Sequence, residues 1–168
     1  MEIKYAKYEN IENILNIINQ AKEYFTQEKI FQWNSEYPTY DTIKRDIDEN
    51  TSFVVLDNDN IIATFALIIG EDKNYKKIYD GKWLTNDLYG TIHRIAIHNN
   101  YKRKGIGNKI LKYSEEYCLK NKAKSLRIDT HKLNKPMISL IERNNFTYCG
   151  IIKVEDLTDR VAYEKILL

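Results

Sequence analysis

The chain has 168 residues, about one domain at ~150 residues per domain, and enough to bury a core without disulfide or metal staples. A hydrophobic share of 43% and a charged share of 30% sit at globular averages and exclude an intrinsically disordered chain. With 26 basic against 24 acidic residues the net charge is +2, which excludes a general pull toward nucleic acid or membrane; an anion must be met by local clustering.

Cys118 and Cys149 form no CxxC pair, and with His93, His98 and His131 scattered along the chain they make no zinc pattern, so no metal is expected. Met1 to Tyr5 holds no apolar run and is not read as a signal peptide, and no apolar stretch approaches the ~18 residues of a membrane span. The expected setting is a reducing cytoplasm.

In chain order, Ile3 and Tyr5 alternate with polar neighbours as a short strand. Asn10 is placed to cap a helix whose Ile11, Ile14, Leu15, Ile18, Ala21 and Phe25 follow the helical period. The segment from Phe31 to Pro38 has no period and reads as a loop. A second helix is expected from Asp41 to Glu49, then a strand over Phe53–Leu56, a hairpin turn at Asp57–Asn60 and a return strand from Ile61 to Ile69. Residues 70–90 form an irregular, aromatic connection. Thr91 to His98 is a β-branched strand, Gly105 to Asn121 a helix, and Ser125 to Thr130 a strand. Asn134 caps a helix with Pro136 in its first turn. Strands over Tyr148–Val154 and Val161–Ile166, joined by a turn at Asp156–Asp159, close the chain. The order β-α-α-β-β-β-α-β-α-β-β, without repeat or linker, predicts one domain of mixed α/β type over residues 1–168.

The most informative stretch is the strand ending at Ile97 with the basic turn and amphipathic helix that follow, Lys102-Arg103-Lys104-Gly105-Ile106-Gly107-Asn108. Free N–H groups and a partial positive charge at a helix start suit a phosphate, and glycines let an anion approach the backbone. A Rossmann fingerprint would need a third glycine where Ile110 stands, and a Walker loop a longer spacing and a Lys-Ser/Thr ending. From the residues alone, a phosphate cradle and a solvated basic helix start both fit.

This turn resembles the cofactor motif of the GNAT acetyltransferase superfamily, Arg/Gln-x-x-Gly-x-Gly/Ala between the fourth strand and third helix. A second stretch, Asn134 to Phe146, resembles the superfamily's Asn-x-x-Ala-x-x-Leu-Tyr-x-x-x-Gly-Phe block, and the element order agrees over nearly the whole chain. The resemblance implies a twisted mixed sheet of about seven strands flanked by about four helices. It also implies acetyl-CoA as acyl donor, a small-molecule or peptide primary amine as acceptor, direct transfer without an acyl-enzyme, and, since relatives often pair, a homodimer. The pyrophosphate would meet Lys102, Arg103, Lys104, Gly105, Ile106, Gly107 and Asn108. The pantetheine arm would pair with the strand at Ile95, Ala96 and Ile97, and Asn134 and Met137 would reach the arm from the fourth helix.

Three departures stand out: Lys102 for Arg or Gln, Asn145 for the glycine before Phe146, and Ile141 for the tyrosine that often protonates the departing thiolate. The last motivates a second expectation, a catalytically weak acyl-CoA-binding or sensing module. Nucleic-acid binding through residues 102–104 would need a wider basic face than the following helix, with Glu115 and Glu116, provides.

An ammonium acceptor must lose a proton, and histidine as a residue type titrates near ~6.5. Strand alternation predicts one face for residues 91, 93, 95 and 97. His93 is therefore the candidate general base, in a place similar to a histidine of arylalkylamine N-acetyltransferases; a histidine bonded within a strand pair is the other reading. Arg94, on the opposite face, is expected to pair with an acid. Trp33, Tyr37, Tyr79 and Trp83, with His131, are candidates for the acceptor wall, or cover for the core.

Overall fold

The computed structural model describes residues 1–155 and 158–168. They form β1 (Glu2–Tyr5), α1 (Ile11–Gln27), α2 (Tyr40–Asp48), β2 (Ser52–Asp57), β3 (Asn60–Ile69), β4 (Tyr89–Ile97), α3 (Ile106–Lys120), β5 (Ser125–Thr130), α4 (Lys135–Arg143), β6 (Thr147–Lys153) and β7 (Asp159–Ile166). Short 3-10 turns stand at Tyr8–Asn10, Lys73–Tyr75 and Asn99–Tyr101. The strands make one mixed sheet in the order β1-β2-β3-β4-β5-β7-β6, in which β4 runs parallel to β5. The mixed α/β class and the element order are those expected; the turn anticipated at Asp156–Asp159 falls partly on residues 156–157, outside the described residues. No helix among the described residues is long and apolar enough to cross a membrane.

Backbone contacts divide the chain into two compact units, residues 1–67 with 93–107, and residues 68–92 with 108–168. In the first, α1 turns Ile11, Ile14, Ile17, Ile18 and Phe25 to one side at helical spacing, where they pack with Ile30, Trp33, Ile43 of α2, Val54 of β2 and Ala96 of β4. Each such side chain contributes about 1.5–3 kcal/mol by leaving water. Asn10 precedes α1 as expected, but its carboxamide oxygen accepts backward from the Lys7 N–H at 2.8 Å. Thr39 caps α2, accepting from the Thr42 N–H while Thr42 Oγ1 accepts from the Thr39 N–H at 3.1 Å. Asp57 pairs with Asn60, so Asn58 and Asp59 alone make the hairpin turn; both are left-handed (φ +47° and +66°), which short polar side chains tolerate.

In the second unit, β5 and β7 pair antiparallel over six residues from Ser125↔Ile166 to Thr130↔Val161, and β6 adds to the other side of β7. A small core of Tyr75, Tyr89, Ile152 and Ala162 lies there, with Ile78, Trp83 and Val154 packed against it.

Candidate active site

In the first unit Arg94 of β4 is left-handed, with φ +52°, a local departure from regular strand backbone. Ala96 is buried in the unit's core, while His93, Ile95 and Ile97 are half-buried. The strand ends at Ile97, and His98, expected inside it, instead accepts the Asn100 N–H at Nδ1 to cap the next turn.

The Arg94 side chain is held by an acid, as its sequence position suggested. Nε and Nη2 each donate to one Asp46 oxygen at 2.7 Å, and Nη1 donates to the Tyr37 hydroxyl at 2.9 Å. Asp46 faces inward because it stands one helical turn from the buried Ile43. The pair's side chains are 13% and 8% exposed, a dry setting in which losing either partner is costly.

After β4 the Asn99 N–H donates to Gln20 Oε1 of α1 at 2.8 Å, which fastens the 3-10 turn. Lys102 is extended, Arg103 is left-handed (φ +60°), and Gly105 is left-handed again (φ +78°) before α3 begins at Ile106. Left-handed residues two positions apart, followed by a helix's first turn, are the kind of backbone in which N–H groups are turned outward and suit an anion. A Cβ added at Gly105 would meet nothing within 4 Å, so the space above the turn is open. The ammonium groups of Lys102 and Lys104 lie 5.2 and 5.0 Å from the rings of Tyr24 and Tyr101, and desolvation lowers the pKa of Lys102. Trp33, a candidate for the acceptor wall, is a core residue, 8% exposed and set edge-on to Phe25 at 5.4 Å. Tyr37 is 42% exposed.

In the second unit, Asn134 is buried and caps α4: Oδ1 accepts the Met137 N–H at 3.4 Å and Nδ2 donates to Thr130 Oγ1 at 3.1 Å. Ile141, in the place of the usual tyrosine, has 0% exposure, and Asn145 is left-handed (φ +65°), as the glycine it replaces would be. Asn108 accepts from Asn144 Nδ2 at 2.9 Å. His131 follows β5 and accepts the Leu133 N–H at Nδ1; burial, then Arg160 and Lys132, lower its pKa.

Tyr79 and Trp83 are committed within this unit. The Tyr79 backbone exchanges two 2.8 Å bonds with Ile151 of β6. Trp83 donates Nε1–H to the Tyr75 carbonyl, and the Arg127 guanidinium lies over the Trp83 ring at 4.1 Å and over the Tyr89 ring at 3.8 Å. The buried Tyr75 hydroxyl donates to Asp129 at 2.5 Å, and burial, reinforced by that carboxylate, raises its pKa well above the usual phenol range. That Asp46 is the acid paired with Arg94, the Tyr75–Asp129 bond and the Arg127 contacts were not read from the sequence; each joins residues far apart in the chain.

The family model for the acetyltransferase (GNAT) family matches residues 15–146, and the chain belongs to that family. Among solved structures, a GNAT-family acetyltransferase from Streptococcus agalactiae 2603 has a TM-score of 0.90 at 29% identity, covering 99% of this chain and 95% of that one. A GNAT-family acetyltransferase from Listeria monocytogenes 4b F2365 has a TM-score of 0.75 at 14% identity, covering 99% and 94%. The ribosomal-protein-S18-alanine N-acetyltransferase from Escherichia coli has a TM-score of 0.68 at 15% identity, covering 99% and 93%. No curated protein matches the chain.

Proposed function

We propose that this chain is an acetyl-CoA-dependent N-acetyltransferase that moves the acetyl group directly to a primary amine of a small molecule or peptide. The observation that carries the reading is the turn at residues 102–107, where Arg103 and Gly105 are left-handed and the space over Gly105 is open. These residues fit a diphosphate: the amides of a helix start follow the turn, no Cβ stands over Gly105, and Lys102, Arg103 and Lys104 add charge. The bound donor supplies an activated acetyl thioester.

In this reading the amides from about Arg103 to Asn108 hold the pyrophosphate. The backbone at Ile95 and Ile97 orients the pantetheine arm along β4, with Asn134 and Met137 as further contacts, and His93 takes the proton from the acceptor ammonium. The exposed Tyr37 remains the best-supported member of the acceptor wall, because Trp33, Tyr79 and Trp83 have packing or backbone commitments. The E. coli structural neighbour is named for a protein-alanine acceptor, which supports keeping peptide amines in the acceptor class. Free thiols at Cys118 and Cys149 are compatible with a cytoplasmic setting.

A second reading, an acyl-CoA sensor without fast turnover, is favoured by the buried Ile141 where a proton donor often stands. Calorimetric titration with acetyl-CoA tests the cofactor assignment, and absence of binding overturns it. Thiol release with a panel of amines, amino acids and peptides separates the two readings: release above the hydrolysis blank is expected, and binding without release selects the sensor. His93→Ala is expected to slow turnover and remove the acidic limb of the pH–rate profile.

A further inference from the structure

We infer that Tyr37, held by Arg94, is the proton donor to the departing CoA sulfur, the task that Ile141 cannot perform. The inference rests on the acetyl-CoA reading above. When the amine nitrogen bonds to the acetyl carbon, the carbon–sulfur bond breaks and the sulfur leaves with the bonding pair. An acid nearby stabilises that charge, and Ile141 is aliphatic and fully buried.

The first unit brings a phenol to the required end of the strand. In the acetyl-CoA reading, an arm held at the turn of residues 102–107 and along Ile97 and Ile95 would point its acyl end toward Arg94, the next irregular residue of the strand. There the strand backbone is left-handed, and the guanidinium it carries lies 2.9 Å from the Tyr37 oxygen. Arginine has only donors, so this bond uses a lone pair of the phenol oxygen and leaves the phenol hydrogen to be given elsewhere. The guanidinium itself is no acid at ordinary pH, but its charge stabilises negative charge on the oxygen once the hydrogen has gone.

Tyr37 is also fixed in place. Its N–H and carbonyl exchange bonds of 3.3 and 3.0 Å with Asn34, and the carbonyl of the next residue, Pro38, accepts from Lys22 of α1 at 2.6 Å. Two residues on, Thr39 caps α2, the helix that supplies Asp46. The ring is nonetheless 42% exposed, so the hydroxyl is within reach of a ligand. A donor on a fixed loop loses little freedom when it acts.

The step balances. The base takes one proton from the acceptor ammonium and releases it to water; nitrogen then bonds to the acetyl carbon and gives its second surplus proton to water. Sulfur departs with the bonding pair and takes the Tyr37 hydrogen, and the tyrosinate beside Arg94 regains a proton from water, so that one proton is released overall. The products are the acetylated amine and CoA thiol.

The test is Tyr37→Phe, which removes one oxygen from an exposed ring and keeps the Arg94–Asp46 pair. Thermal melting and acetyl-CoA titration are expected to match the parent, while turnover with a saturating amine falls roughly 10²- to 10⁴-fold. A readout without turnover is the thiolate ultraviolet band of bound CoA followed against pH. The Tyr37 hydrogen bond favours the thiolate, so the thiol of CoA bound to the parent titrates at lower pH than the thiol of CoA bound to the Phe variant. Unchanged turnover overturns the inference, and so does slower turnover with identical thiol titrations, which would make Tyr37 an acceptor contact. Failure of the parent itself to bind acetyl-CoA overturns the cofactor reading instead, and is told apart because it appears before any substitution.

Discussion

Arg127 of β5 and Glu164 of β7 form an ion pair sealed from water, Nε to Oε1 at 2.9 Å, with side chains 4% and 0% exposed. Further bonds surround the pair: Nη2 donates to the Thr85 carbonyl, while the carboxylate also accepts from the Ser125 hydroxyl and the Leu84 N–H. The pair thereby ties the connection before β4 to the strands of its own unit.

Glu164→Ala leaves a guanidinium buried without its counter-charge and is expected to cost about 3–5 kcal/mol of folding free energy, read from urea denaturation. Replacing both partners together by apolar residues of similar volume is expected to recover much of that loss. A single-variant loss below about 1 kcal/mol would show that the pair is not sealed.

Gly105→Asn and Gly105→Asp place side chains of nearly equal size at the open left-handed position of the turn, and both residue types tolerate that backbone. The carboxylate alone repels a diphosphate. Acetyl-CoA affinity is expected to be at least about tenfold weaker for Asp than for Asn, about 1.4 kcal/mol. Equal affinities in calorimetry would remove the anion from this turn. Gly105 is the cleaner probe because Gly107 is buried.

Acid is expected to weaken the fold through His131. Its folded pKa lies below the usual ~6.5, so the unfolded chain binds more protons at this ring. The ring's contribution is present above ~6.5 and is lost as pH falls through the depressed folded value. Urea midpoints drop over that window, and His131→Gln flattens the drop; an identical slope in the variant would contradict the assignment.

Neither cysteine is expected to react with a thiol reagent at mildly alkaline pH while the chain is folded. Burial, then Glu115, pushes Cys118 up to about 12, and burial, then Glu164, pushes Cys149 up to about 11. Modification is expected to follow global unfolding, and rapid labelling of the native chain would show that either pocket opens on its own.

Local rules made much of the fold legible. The Asn58–Asp59 hairpin, the Asn134 cap and the apolar face of α1 each follow from residues within a few positions of one another. What escaped depended on distant partners. Asp46 reads as a solvated helix acid until Arg94, 48 residues on, turns toward it. The left-handed Arg94 carries no local sign, because arginine in a β-branched run predicts ordinary pleating. Trp83 and Tyr79 read as a ligand wall because their loop has no period, yet their neighbours are Arg127 and Ile151. The turn at residues 102–107 was visible because glycine and clustered charge mark their requirements in the sequence itself.

Because a single guanidinium serves both Asp46 and Tyr37, α2 and the loop before it cannot be altered separately. Shortening the loop withdraws one ligand of Arg94, and turning the helix withdraws the other. Among functional variants selected for new acceptors, positions 37, 46 and 94 are expected to be retained or exchanged as a set, so that diversification at the mouth of this protein proceeds by concerted jumps.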